Sequence, residues 1–158
     1  MAAAAPPTAE DARGRRFCLV AARFNEPYVL RLVEAATEVL RRHGAAEGDL
    51  ETVWVPGSLE LPLACHWAAA SGRFDAILAF GVIVRGETEH FRLVADQSAQ
   101  GLARVALDSG VPVLNGVLAA HHVGQVVDRT GGLHGNRGAE VALAAIRMAQ
   151  LRRRMEAR

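Results

Sequence analysis

The chain has 158 residues, 51% hydrophobic and 22% charged, with a net charge of +1, the profile of one globular domain with a core of its own. A balance so near neutral gives no reason to expect nucleic acid or an anionic membrane surface as a partner. The two cysteines, Cys18 and Cys65, each sit inside an apolar segment and read as small buried hydrophobes of a reducing compartment, not as a disulfide or a metal pair.

The Ala/Pro-rich start and the residues up to Gly14 read as a flexible arm (1–14), which leaves 15–158 as a single domain. Ala2–Pro7 lacks the basic start of a secretory leader, and no apolar run is long enough to cross a bilayer, so a cytoplasmic location with no membrane partner is expected. Phe17–Ala22 is a continuous apolar run suited to a buried parallel strand. From Pro27 to about His43 apolar residues recur at helical spacing, with Pro near the start and Gly44 past the end. Thr52–Val55 is a second strand stopped by Pro56-Gly57, and Leu59 to about Ala70 a second helix. Asp75–Val84 is a third strand, followed by a helix from about Thr88 to Ser109 whose buried stripe is Phe91, Val94, Leu102, Val105 and Ala106.

Val111–Leu114 with Gly116–Leu118 gives a fourth strand, with Pro112 at its start. A short helix near Val123–Arg129 and a terminal one from about Asn136 to Met155 finish the chain; Arg152, Arg153 and Arg154 read as a solvated face. Strand and helix alternate with short connections, which predicts a doubly wound α/β sandwich on a parallel sheet. Ligands of such sheets bind outside the carboxyl ends of the strands.

The loops at those ends carry the chemistry. Phe24 offers a flat apolar face beside Asn25, suited to stacking a heterocycle, though the pair also suits plain loop packing. Pro56-Gly57-Ser58 opens a helix, and Glu60 can accept hydrogen bonds from ligand hydroxyls, or simply favour the helix start. Gly81–Phe91 runs from a strand through a glycine hinge into a helix whose first turn holds His90. Free N–H groups there suit a phosphate, and an imidazole nearby can move protons on what that phosphate anchors; a polar cap with a solvent-facing histidine fits the same spacing. Arg129 and Arg137 bracket the glycine-rich turn Thr130–Asn136, a plausible phosphate clamp. His121 and His122 read as surface residues, no Cys/His cluster has metal spacing, and no nucleotide fingerprint is present, so no metal or cofactor is expected.

Together, Arg23-Phe24-Asn25-Glu26, Val55-Pro56-Gly57-Ser58-Leu59-Glu60-Leu61-Pro62, Gly81–Phe91, Asn115-Gly116-Val117-Leu118 and Asp128-Arg129 through Asn136-Arg137-Gly138 resemble the 6,7-dimethyl-8-ribityllumazine synthase family, in its order and spacing, over about residues 16–152. The resemblance implies a flavodoxin-like three-layer αβα sandwich on a four-stranded parallel sheet. It implies a transferase of riboflavin biosynthesis, condensing 5-amino-6-(D-ribitylamino)uracil with 3,4-dihydroxy-2-butanone 4-phosphate and releasing phosphate and water without metal or redox cofactor. By the same likeness His90 is the proton-transfer residue. Phe24, Asn25, Ser58, Leu59, Glu60, Val82, Ile83 and Asn115 bind the ring and ribityl chain, and Gly86, Glu87, Thr88 and Arg129 bind the phosphate. Asn115, Arg129 and Arg137 come from the neighbouring subunit of a homopentamer. The compact turn Gly131–Gly135 further suggests an icosahedral shell of pentamers.

Three departures from the pattern of that family stand out. Arg92 stands where an acidic residue could orient the imidazole, so that Glu87 or Glu89 would have to serve. Leu133 replaces a basic residue, and Ala119-Ala120 a threonine pair. Rival readings are an archaeal-type riboflavin synthase of the same fold, and a paralogue kept for storage or flavin binding. A phosphoacceptor module fits poorly, since Ala22-Arg23-Phe24-Asn25 lacks the acidic cluster it needs.

Overall fold

The computed structural model describes residues 9–157. Four parallel strands, β1 (Phe17–Ala22), β2 (Leu50–Val55), β3 (Ala76–Val84) and β4 (Val113–Ala120), form one sheet in the order β2-β1-β3-β4. All six residues of β1 are buried, as a continuous apolar run demands of a strand covered on both faces. Helices α1 (Glu26–Arg42) and α5 (Arg137–Glu156) cover one face, packing Leu32, Ala36, Ala142 and Ile146 against Phe17, Leu19 and Phe80. On the other face, α2 (Leu61–Ala70) and α3 (His90–Ser109) set Leu61, Cys65, Leu102 and Val105 against Val20, Ile77 and Ala79. The expected three-layer αβα sandwich, flavodoxin-like in its strand order, is therefore the observed fold.

The chain order reverses direction at β1, whose two neighbours are β2 and β3. Loops leaving β1 and β3 thus diverge to opposite faces and open a crevice between them, the position where ligands of such sheets lie. Asn25 bridges that crevice. It holds a left-handed backbone (φ 60°) and donates from Nδ2 to the Val82 carbonyl at 2.7 Å. Asn tolerates this conformation better than most side chains.

Several boundaries differ from those read in the sequence, each for a local reason. Residues Ser58–Glu60 form a tight 3₁₀ turn, and α2 begins only at Leu61, with Pro62 in its first turn where a missing N–H costs nothing. α3 starts at His90, two residues late, because the Thr88 hydroxyl accepts the His90 N–H at 3.3 Å. In the buried stripe of α3, Ser98 joins Val94, Leu102 and Val105, its hydroxyl donating to the Val94 carbonyl at 2.7 Å, while Phe91 and Ala106 are only half-buried. β4 begins after Pro112 and runs through Asn115, which lies opposite Ala79. The glycine-rich turn becomes a small hairpin, β5 (Thr130–Gly132) with β6 (Gly135–Asn136), after the short helix α4 (Val123–Arg129). Gly135, at φ 75°, supplies the left-handed step at its tip.

The arm expected over 1–14 falls outside the described residues as far as Thr8, but residues 9–14 are pinned. Ala12 is fully buried, its N–H donates to the His43 carbonyl at 2.9 Å, and Arg147 on α5 holds Glu10 at 2.6 Å. The terminal arginines remain at the surface, where Arg153 pairs with Asp75 at 3.5 Å and Arg152 with Glu156 at 2.9 Å. Among the described residues, no helix is long and apolar enough to cross a membrane.

Cys18 and Cys65 lie in the core between β1 and α2. Burial pushes each thiol up to about 12, because a thiolate cannot be solvated there. A raised folded-state value favours folding fully below the ordinary thiol range and loses that contribution as pH climbs through it toward about 12. A thiol reagent at about pH 8 is therefore expected to label neither cysteine in the native protein and both in denaturant. Rapid native labelling would contradict this packing.

Candidate active site

One cleft of about 300 Å³ opens at the carboxyl end of the sheet, on the α3 side of the β1/β3 crevice. Phe24 and Asn25 from the loop after β1 form one wall, Gly57–Glu60 after β2 a second, and Val82–Val84 of β3 the floor. Gly86, Thr88, His90, Phe91 and Val94 complete it from the β3–α3 connection.

The walls are held by the backbone as much as by side chains. The Arg23 N–H donates to the Val55 carbonyl at 2.8 Å and the Phe24 N–H to the Pro56 carbonyl at 3.1 Å, locking the first two loops together. Gly81 lets Ser58 sink against β3, since a Cβ there would collide with the Ser58 hydroxyl. Ser58 is accordingly buried, and Leu59 and Glu60 beside it are exposed. Phe24 leaves 73% of its surface open, a flat apolar face on which a planar ring can stack. Arg23 is held off it, lying over the Trp54 ring at 5.2 Å and pairing with Glu26 at 3.1 Å.

His90 occupies the first turn of α3 with its side chain exposed. Among the described residues none hydrogen-bonds its ring, so neither Glu87 nor Glu89 orients it, and the imidazole is free to engage a bound molecule. Its neighbour Phe91 faces the cleft and meets the His121 ring at 5.9 Å, which ties the cleft to the end of β4. An apolar slot floored by Val82, Ile83 and Val84, with an open ring at one side and a carboxylate and imidazole at its rim, can hold a planar heterocycle and exchange protons with it.

Of the residues singled out in the sequence, Phe24, Asn25, Ser58, Leu59, Glu60, Val82, Ile83, Gly86, Thr88 and His90 share this cleft. Glu87 lies outside its lining. Asn115 is also elsewhere: on the edge strand β4 it turns its Oδ1 back to accept the Val117 N–H at 2.9 Å. Arg129 and Arg137 line a different cavity, of about 380 Å³, with Leu118, His134 and Glu140. Gly57, Val84, Phe91 and Val94 were not among the expected site residues. Apolar positions and loop glycines that face a cleft carry the same sequence signal as those that face a core; only the glycine-proline stop before Ser58 hinted at Gly57.

The family model described as 6,7-dimethyl-8-ribityllumazine synthase matches residues 14–153. The curated 6,7-dimethyl-8-ribityllumazine synthase of Halorhodospira halophila is 49% identical over 142 residues, which cover 90% of this chain and 91% of that relative.

Proposed function

The chain belongs to the 6,7-dimethyl-8-ribityllumazine synthase family, and on that premise we propose how its cleft carries out the family reaction. The enzyme is a transferase of riboflavin biosynthesis that condenses 5-amino-6-(D-ribitylamino)uracil with 3,4-dihydroxy-2-butanone 4-phosphate. What carries this reading is that Phe24, Glu60 and His90, each just beyond the end of a different strand, meet at one crevice beside Gly86 and Thr88.

In this reading the pyrimidine ring lies on Phe24 above Val82 and Ile83, with Asn25, Ser58, Leu59 and Glu60 along the ribityl chain. The butanone phosphate enters at Gly86 and Thr88, which line the cleft, with Glu87 between them in the chain and outside its lining. An amine attacks the ketone to give an imine with loss of water, phosphate is eliminated, and tautomerisation followed by ring closure expels a second water. Each step moves a proton near neutral pH, and His90 is the group placed to carry it. Orientation of two substrates in one slot supplies much of the remaining acceleration.

A second chain completes the site. Arg129, Arg137 and Asn115 do not reach the cleft of their own chain, and a homopentamer would bring a neighbour's β4 edge and arginines to it. Supporting this are the exposed Leu63 and Trp67 on α2 and Leu93 on α3, apolar surface of the kind that subunit contacts cover. The short β5–β6 hairpin, with Leu133 84% exposed at its tip, is compatible with an icosahedral shell. The two free, buried thiols suit a reducing compartment such as the cytoplasm. Light scattering showing pentamers or shells would support this assembly, and a stable monomer with full activity would refute it.

Supplying the two substrates to purified protein and following product absorbance tests the activity; no product from both together would sink it. Phe24→Ala is expected to raise KM for the pyrimidine substrate by roughly three- to tenfold, the worth of one stacking contact, with little change in kcat. An unchanged KM would remove Phe24 from the ring-binding wall.

A further inference from the structure

We propose that Asn25 is a positioning residue of the cleft, a strut that sets how far the Phe24 ring stands from the floor at Val82. This rests on the reading of Phe24 as the wall on which the pyrimidine ring stacks. It gives Asn25 a task beyond a place along the ribityl chain.

The sheet ends unevenly at this point. The Ile77 N–H donates to the Pro112 carbonyl and the Arg85 N–H to the Ala120 carbonyl, so odd-numbered residues of β3 face β4 and even-numbered ones face β1. Pairing of β1 with β3 stops at Ala21, opposite Phe80. The carbonyl of the buried Val82 therefore faces a strand that has already turned away. A longer β1 would bring it the Phe24 N–H, but that group donates to the Pro56 carbonyl at 3.1 Å. A buried carbonyl left without a donor is costly. Asn25 supplies the donor, its Nδ2 reaching the Val82 carbonyl at 2.7 Å.

Asn25 gives up an ordinary helix cap to make this bond. It precedes α1, where asparagine usually has extended backbone and turns its side-chain oxygen onto the first N–H groups of the helix. Here the side chain makes no such cap, and the backbone is left-handed at φ 60° and ψ 35°. Among the described residues, Asn25 is the one non-glycine with a positive φ. Its carbonyl alone opens the helix, accepting the Tyr28 and Val29 N–H groups at 3.1 and 3.2 Å. A forgone cap and a sparsely populated backbone, both at the rim of a cleft, mark a site shaped in advance for its ligand. Phe24, Asn25 and Val82 all line that cleft. Phe24 is thus fixed by Pro56 on one side and by the Asn25 turn on the other, and a planar ring meets a slot whose width is already set.

Asn25→Gly and Asn25→Asp separate the strut from the fold. Glycine adopts the left-handed backbone freely but carries no amide. Aspartate also tolerates that backbone, yet it cannot donate and sets a carboxylate against the Val82 carbonyl. On the assembled enzyme, each is expected to raise KM for the pyrimidine substrate roughly three- to tenfold, on the scale of one hydrogen bond, with KM for the butanone phosphate near parental. A residue needed only for folding would lower the thermal midpoint and the active fraction and leave both KM values alone. Because the strut acts through the ring, the double variant Phe24→Ala/Asn25→Gly should bind the pyrimidine substrate no more weakly than Phe24→Ala alone. Parental KM in both Asn25 variants would overturn the role. So would a rise by the same factor with and without the Phe24 ring, which would mean that Asn25 touches the substrate itself. In either case Phe24→Ala still raises KM and the stacking wall stands. If Phe24→Ala leaves KM unchanged, that wall falls and the strut with it.

Discussion

His90→Ala is expected to turn over about 10²–10⁴-fold more slowly than the parent, with KM for both substrates changed little. The size of the effect follows from how the residue is held. His90 begins α3 at the rim of the cleft, and its backbone N–H is capped by the Thr88 hydroxyl. Its ring is exposed and engaged by no other described residue, so the side chain contributes little to stability and its removal should leave thermal unfolding near the parental midpoint. What it would remove is the one imidazole placed to move protons between substrates through imine formation, phosphate loss and ring closure. That range corresponds to about 3–5 kcal/mol of transition-state stabilisation, well beyond the worth of any single contact that merely holds the ring. A variant that folds, assembles and retains the parental kcat would show that solvent or another group carries the proton.

The sequence made the sheet legible because its strands are continuous apolar runs bounded by glycine and proline. Phe17–Ala22 could hardly be anything but a strand covered on both faces, and the crevice between β1 and β3 follows from the alternation of strands and helices. The cleft residues just beyond the strand ends, Phe24, Ser58, Glu60 and His90, stood out because polar or aromatic chemistry at a strand end has no part in the core. What escaped were residues whose role depends on direction. Phe91 fits the apolar stripe of α3 by spacing, yet it turns toward the cleft and His121, and Ser98 takes a place in the buried stripe by donating its hydroxyl to the preceding turn. The β5–β6 hairpin escaped because its glycines have no strand propensity; pairing between Thr130 and Asn136, not composition, defines it. On the exposed edge strand β4, Asn115 accepts the N–H of Val117, which blunts that edge against further pairing.

Subunits carrying His90→Ala and subunits carrying Arg129→Ala, each nearly inactive alone, are expected to regain activity when co-assembled. The expectation comes from where the two residues lie. His90 opens onto the cleft after β3, while Arg129 at the end of α4 lines cavities with Leu118 and with His121 or His134, none of which includes His90. If a single chain held the whole site, every chain in the mixture would lack one of the two groups and mixing would change nothing. If each site draws His90 from one subunit and Arg129 from the next around a ring, random equimolar assembly leaves about a quarter of the sites with both groups intact. Arg129→Ala alone should lower kcat/KM for the butanone phosphate by roughly 10- to 100-fold, the worth of one charged hydrogen bond to an anion, so the assay must run well below the raised KM. Co-refolded mixtures should then approach a quarter of parental activity, while separately refolded proteins mixed afterwards should stay inactive. No gain on co-refolding, with mixed oligomers demonstrated by mass, would place Arg129 outside the shared site and leave the anion to be held by Gly86 and Thr88 of the same chain.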